Sequence, residues 1–208
     1  MMTTALIDYG AGNLHSVHKA LARAGLEVVR ASTPAEAAGA DALVLPGQGH
    51  FRQVMESFLA SGFEPLVRAH LAAGKPFLGI CVGLQLLMER SQEAPGVPGL
   101  GLIAGTVKRF DNTVSVPQMG WNQLFSYGQP ELLRGIPDGS YVYFANSYYV
   151  DFADDLPGAY TDYGQTRFKS ALSTGHLHAT QFHPEKSQAV GLAILGNFRL
   201  IAERLAAS

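Results

Sequence analysis

Short apolar runs that end in glycine alternate with runs of helical period through the first half of the chain. That alternation limits the fold more than any other feature. "TALIDYG" (Thr4–Gly10) reads as a strand, and "NLHSVHKALARAG" then places Leu14, Val17, Leu21 and Ala24 on one helix face before Gly25 stops it. "LEVVRA" and "DALVLPG" are further strands, the second running into the glycine turn "PGQG" (Pro46–Gly49). "MESFLASGFEPLVRAHLAAG" predicts one helix closed by Gly74, and "PFLGIC" predicts a fourth strand. Strands alternating with helices of about ten to twenty residues predict βαβ units: an α/β fold with a mostly parallel central sheet and helices on both faces.

The second half differs in character. Glycine and proline are frequent around "VPGLGLIAGTVKRF" and "VPQMGWNQLF", and helical periodicity is lost. "SYVYFANSYYV" is aromatic and strand-like, and "FKSALSTGHLHATQFHP" predicts a hairpin about Thr174-Gly175. A last amphipathic helix carries Ile194, Phe198, Ile201 and Leu205 on one stripe. This pattern predicts a small antiparallel insertion in a single domain over 1–208, with no repeat or linker.

Composition narrows the function. The 208 residues are 47% hydrophobic and 15% charged, enough for a substantial core. A net charge of -2 gives no reason to expect a nucleic-acid or anionic-membrane surface. The single cysteine excludes an internal disulfide, no run approaches the ~20 apolar residues of a membrane span, and "MMTTALIDYG" lacks signal-peptide features. A cytoplasmic protein is expected.

That one cysteine, Cys81, stands where "PFLGI" meets a helix-like run from Val82 to Arg90, with Gly79 and Gly83 two residues to either side. A tight strand-to-helix turn holds a side chain clear of the sheet, at the strand ends where open α/β folds place ligands. It aims a helix N-terminus at the thiol, which favours thiolate, and points free N–H groups at any oxyanion forming beside the sulfur. The bend crowds the backbone and calls for glycines, as in the G-x-S-x-G elbow of α/β-hydrolases with sulfur in place of oxygen. A free cysteine among apolar residues is ordinarily a small buried hydrophobe, so its partners decide the matter.

"TQFHPEKS" (Thr180–Ser187) supplies those partners. Glu185 lies two residues beyond His183, where an extended chain returns side chains to the same side. The carboxylate can then hold one imidazole nitrogen while the other faces Cys81. His176 and His178 could share a strand face and, with His183, suggest metal ligands, but no further Cys or acidic ligand sits at a convincing spacing, and an exposed hairpin is expected there; no metal is expected. His15 and His18 read as the surface of an amphipathic helix, and His50 and His70 as surface residues.

With Cys81, His183 and Glu185 in place, the chain resembles the class I (triad) glutamine amidotransferases. "IDYGAGNLHSV", "LVLPGQGHF", "PFLGICVGLQLLME", "GLGLIAGTVKRF", "VPQMGWN" and "ATQFHPEKSQAVGL" are together similar to the glutaminase subunits of imidazole glycerol phosphate synthase, over Ile7 to Leu192. The resemblance implies a three-layer fold and no cofactor. It implies that Cys81 attacks the side-chain amide of glutamine, with His183 as base then acid and Glu185 orienting it. Ammonia then passes to a separate (β/α)₈ cyclase subunit, the expected heterodimer partner, for imidazole glycerol phosphate and an aminoimidazole carboxamide ribotide. An oxyanion hole from Val82 and the Gln48–Gly49 segment is implied. So is substrate binding by Gly47, Gln85, Ser147 and Tyr148, and a partner interface at Asn13, Trp121 and Lys186. Gln85 stands four residues after Cys81, one helical turn along the same face.

Three positions depart from the family pattern. Gln48 stands where Val is common, Asn146 precedes Ser147-Tyr148 where His is expected, and His15 stands where Arg is common. Gln48 matters most, since a local hydrogen bond from its side chain would bias the peptide that must point inward. Competing readings are a glutaminase of another synthase, such as the pyridoxal phosphate synthase subunit, a stand-alone cysteine hydrolase, and a binding module without chemistry. The "PGQG" and "MGWN" segments weigh against the first.

Overall fold

The computed structural model describes residues 2–153 and 155–207. In chain order the elements are β1 (Thr3–Ile7), α1 (Leu14–Arg23), β2 (Glu27–Ala31), α2 (Pro34–Ala37), β3 (Ala42–Gly47), α3 (Phe51–Ala60), α4 (Phe63–Ala72), β4 (Phe77–Cys81) and α5 (Val82–Gln85). There follow β5 (Arg90–Ser91), β6 (Gly105–Arg109), β7 (Gln118–Tyr127), β8 (Ser140–Asn146), β9 (Tyr148–Phe152), β10 (Gly158–Tyr163), β11 (Thr166–Thr174), β12 (Leu177–Thr180) and α6 (Gln188–Ala206). Single 3₁₀ turns occupy Glu131–Leu133 and Pro184–Lys186.

The main sheet runs β2-β1-β3-β4-β12-β11-β10-β7-β8. Its first five strands are parallel neighbours, and β11 turns the remainder antiparallel. β6 and β9 form a further antiparallel pair that joins β11 through β9. β3, β4 and β12 are buried along their whole length, as parallel strands covered on both faces must be, while β2 at the edge is largely exposed. The chain steps from β1 outward to β2, then back across β1 to β3 and on to β4. With right-handed crossovers, α1 covers one face and α3 with α4 the other. α6 returns to pack against α1, while α3 contacts α4 and α5. One connected cluster of buried apolar side chains extends from Ala5 to Ala202.

Four expectations are corrected. The run from Met55 to Gly74 is not one helix: α3 stops at Ala60, and Gly62 with φ +76° starts α4 in a new direction. A left-handed residue that glycine supplies at no steric cost outweighs the continuous helical period. The helix after Cys81 does not reach Arg90 but ends at Gln85, because Leu86, Leu87 and Met88 are buried on all sides and lead into β5. A run of uniformly buried residues has no face to set a period. Trp121, which the glycine of "PQMGWN" leads one to expect in a loop, lies within strand β7. His178 and His70 are buried, not exposed: β12 is a central strand, and His70 faces inward from α4 to the Pro76 carbonyl, 2.9 Å away.

Candidate active site

β1, β3, β4 and β12 are parallel, so the segments leaving their C-terminal ends converge on one sheet edge. These are residues 8–13, 48–50, 82–85 and 181–187. Gly47 of β3 stands in register with Cys81 of β4. Cys81 has φ 55° and ψ −109°, a conformation L residues avoid and one that costs on the order of 1–3 kcal/mol. The elbow is packed to contact. A Cβ at Gly83 would lie 2.0 Å from the Leu45 carbonyl oxygen, and one at Gly79 would lie 2.9 Å from the Gly83 oxygen. These clashes are the physical reason for the two glycines around the cysteine.

From the far side of β4, His183 follows β12 and enters the 3₁₀ turn that carries Glu185. His183 Nδ1 lies 2.8 Å from Glu185 Oε1, with both side chains almost wholly buried. Its Nε2 is buried without a hydrogen-bond partner among the described residues. Burial works against the charged imidazole, but the Cys81 sulfur and the Glu185 carboxylate outweigh it and raise the His183 pKa from 6.5 to about 10. The residues Cys81, His183 and Glu185 are thus brought together across a hundred positions of sequence.

Cys81 opens into a cavity of about 230 Å³, lined among others by Gln48, Gly49, Val82, Gln85, Glu93, Ser147 and Tyr148. That volume suits a ligand of amino-acid size rather than a nucleotide. Gln85 is buried, and its Nε2 donates to the Tyr148 carbonyl and to Gln181 Oε1, each at 3.2 Å. Asn146 Nδ2 donates to the same Tyr148 carbonyl at 2.9 Å. That carbonyl is therefore already engaged by two side chains. Gln48 lines the cavity, and its side chain makes no hydrogen bond among the described residues. The root of its loop is held instead by Tyr9, whose buried hydroxyl donates to the Pro46 carbonyl at 2.6 Å.

Residues expected at a partner interface lie around this edge. Asn13 caps α1, its Oδ1 accepting from the Ser16 N–H at 3.3 Å. Trp121 and Lys186 each contact the ring of Tyr143. The rings of Trp121 and Tyr143 are 6.0 Å apart edge to face, and Lys186 Nζ is 5.8 Å above the Tyr143 ring. Trp121, Met119 and Tyr141 are all exposed, leaving an apolar patch beside the site.

Three residues outside the sequence expectations belong to the site. Gln181 precedes His183 by two in the bend that leaves β12, and its amide reaches Cys81 at the end of β4. Glu93, the one carboxylate lining the cavity, accepts from the Phe51 N–H at 2.8 Å and so caps α3. It lies in the irregular segment after β5, with no pattern to mark it. Tyr9 ends the same sheet edge as Cys81, a placement that becomes readable only once β1 and β3 are known to be neighbours. Among the described residues no three His, Cys, Asp or Glu side chains cluster to hold a metal ion.

The family model for glutamine amidotransferase class-I matches residues 5–201, and the chain belongs to that family. It is 58% identical over 199 residues to the imidazole glycerol phosphate synthase subunit HisH of Deinococcus radiodurans, covering 93% of this chain and 91% of that protein. It is 52% identical over 204 residues to a subunit of the same name from Thermus thermophilus, covering 98% of this chain and all of the other. A solved glutamine amidotransferase structure shares the fold at TM-score 0.74 and 20% identity, over 98% of this chain and 99% of that one.

Proposed function

We propose that this chain is the glutaminase subunit of an imidazole glycerol phosphate synthase, acting in histidine biosynthesis and delivering ammonia to a cyclase subunit. The similarity to HisH subunits over nearly the whole chain supports the assignment. The observation that carries the chemistry is Cys81, strained at an elbow, facing a buried His183–Glu185 pair at the mouth of an amino-acid-sized cavity.

Cys81 sulfur attacks the glutamine side-chain carbonyl carbon, and the oxyanion is met by N–H groups of Val82 and the Gln48–Gly49 segment. His183 holds the thiol proton as long as Cys81 is charged, since that charge is one cause of its raised pKa. Forming the C–S bond of the tetrahedral adduct removes the charge on sulfur and lowers the proton affinity of His183, which passes its proton to the leaving nitrogen. Ammonia departs as the C–N bond breaks. Water attacks the thioester with His183 as base, the C–S bond breaks, and glutamate leaves. Glu185 keeps Nδ1 protonated throughout. In the cavity, Glu93 offers a carboxylate to the substrate ammonium and Gln85 a side-chain carbonyl, with Gly47, Ser147 and Tyr148 supplying backbone groups. Asn13, Trp121 and Lys186 face the cyclase subunit.

The test is glutamine turnover by the full chain, alone and mixed with cyclase subunits of this class, with and without the nucleotide substrate. Turnover that rises with both supports the proposal. Full turnover by the chain alone, unchanged by any cyclase subunit, overturns it in favour of a stand-alone hydrolase.

A further inference from the structure

We infer that Gln181 is a positioning residue whose one amide governs two things: the reactivity of the Cys81 sulfur and the face that Gln85 shows to the substrate. This inference rests on the glutaminase reading above. Gln181 is fully buried, and its backbone N–H is spent on the Ser170 carbonyl at 2.9 Å. Its side chain is therefore held by a fixed main chain in the segment that leaves β12, the strand next to β4. Nε2 donates to Cys81 Sγ at 3.7 Å, and Oε1 accepts from Gln85 Nε2 at 3.2 Å.

The two ends do different work. A donor on sulfur stabilises negative charge there and selects one side-chain rotamer for attack. The acceptor end acts on Gln85. Both hydrogens of Gln85 Nε2 are taken, by Gln181 Oε1 and by the Tyr148 carbonyl, so Oε1 is the atom Gln85 can turn to the cavity it lines. An amide of the opposite orientation would present N–H groups to a substrate ammonium, a mismatch of two donors. Gln181 thereby ties the nucleophile to the binding group one turn away on α5. His183 reaches the sulfur from the same segment, so proton carrier and amide donor are set by one stretch of chain.

Two substitutions separate the two ends. Gln181→Met keeps length and shape but removes donor and acceptor. Gln181→Glu keeps an acceptor for Gln85 while removing the donor and adding a negative charge beside the sulfur. Three quantities are read for each: alkylation rate of Cys81 by iodoacetamide at neutral pH, KM against kcat for glutamine with a cyclase subunit, and melting temperature. For Gln181→Met, alkylation and kcat fall about tenfold and KM rises about tenfold, each the size of one lost buried hydrogen bond. For Gln181→Glu, alkylation and kcat fall further while KM stays within about threefold of the parent. A purely structural residue would move the two variants in proportion to their melting temperatures. That outcome, or parental alkylation and KM in Gln181→Met, overturns the inference. A parent chain that turns over no glutamine with any cyclase subunit overturns the proposed function instead, and the alkylation rates still decide on Gln181.

Discussion

Gly47 and Cys81 stand side by side at the ends of adjacent parallel strands, and the space between their segments has no room for a methyl group. A Cβ at position 47 would lie 2.9 Å from both the Gly83 amide nitrogen and Val82 Cβ, and 3.1 Å from the Tyr9 hydroxyl. The loop that follows Gly47 is the proposed second wall of the oxyanion hole. Gly47→Ala must therefore push that loop away from the elbow. The expected result is a fall in kcat on the order of 10², near the cost of one oxyanion donor, with a stability loss of about 1–3 kcal/mol from overpacking. Turnover with a cyclase subunit and urea unfolding measure both; a parental kcat would show that the loop does not serve the reaction.

Glu185 is the second case. Its carboxylate is one cause of the raised His183 pKa, and its Oε1 holds Nδ1 at 2.8 Å. Glu185→Gln keeps the shape and removes the charge. The imidazole loses proton affinity, and an amide can present N–H to Nδ1 and so hold the wrong tautomer. We expect kcat to fall by about 10²–10⁴ with KM little changed, as for the orienting acid of a hydrolase triad. Equal kcat in variant and parent would remove Glu185 from the mechanism.

Tyr9 tests the root of the same loop from below. Its buried hydroxyl is the partner the structure gives the Pro46 carbonyl, and its ring packs edge-on against Phe58 at 5.7 Å. Burial, reinforced by Cys81, pushes its pKa well above the ordinary tyrosine value, so it stays a donor at any working pH. Tyr9→Phe keeps the ring and leaves the carbonyl unpaired. The cost is about 1 kcal/mol, or roughly 2–4 °C in melting temperature, together with a lower glutaminase rate. A drop in stability with no change in rate would make Tyr9 a packing residue only.

How much of this was legible in the sequence depends on what each residue answers to. Strands β1 to β4 were readable because short apolar runs bounded by glycine carry their own period. So was the elbow, because backbone crowding demands Gly79 and Gly83 in a local pattern. The His183–Glu185 spacing was local as well. The short α5 and the break at Gly62 were not, since burial from every side, or a single left-handed residue, overrode the helical period. Glu93, Tyr9 and Gln181 enter the site through neighbours distant in sequence, and His178 is buried by a strand order that no local pattern encodes.

His178 and His183 set opposite slopes of stability against pH. His178 is fully buried, and its Nδ1 lies 3.0 Å from Ser173 Oγ, which accepts from the Leu132 N–H. Burial pushes its pKa from 6.5 down to about 4. Between those values the unfolded chain binds a proton the folded chain refuses, so stability is complete above about 6.5 and is lost as pH falls toward 4, by on the order of 3 kcal/mol. His70, lowered by burial, adds in the same direction. The salt-bridged Asp8 and Asp162, with pKa values lowered from 3.8, contribute only below this window. His183 is raised, so the stability it contributes is present below 6.5 and is lost as pH rises toward 10. Urea midpoints from pH 4 to 10 check this. The parent should decline on both sides, His178→Asn should lose most of the acid slope, and His183→Ala should lose the alkaline slope. An unchanged acid slope in His178→Asn would mean that its ring is not held neutral in the folded chain.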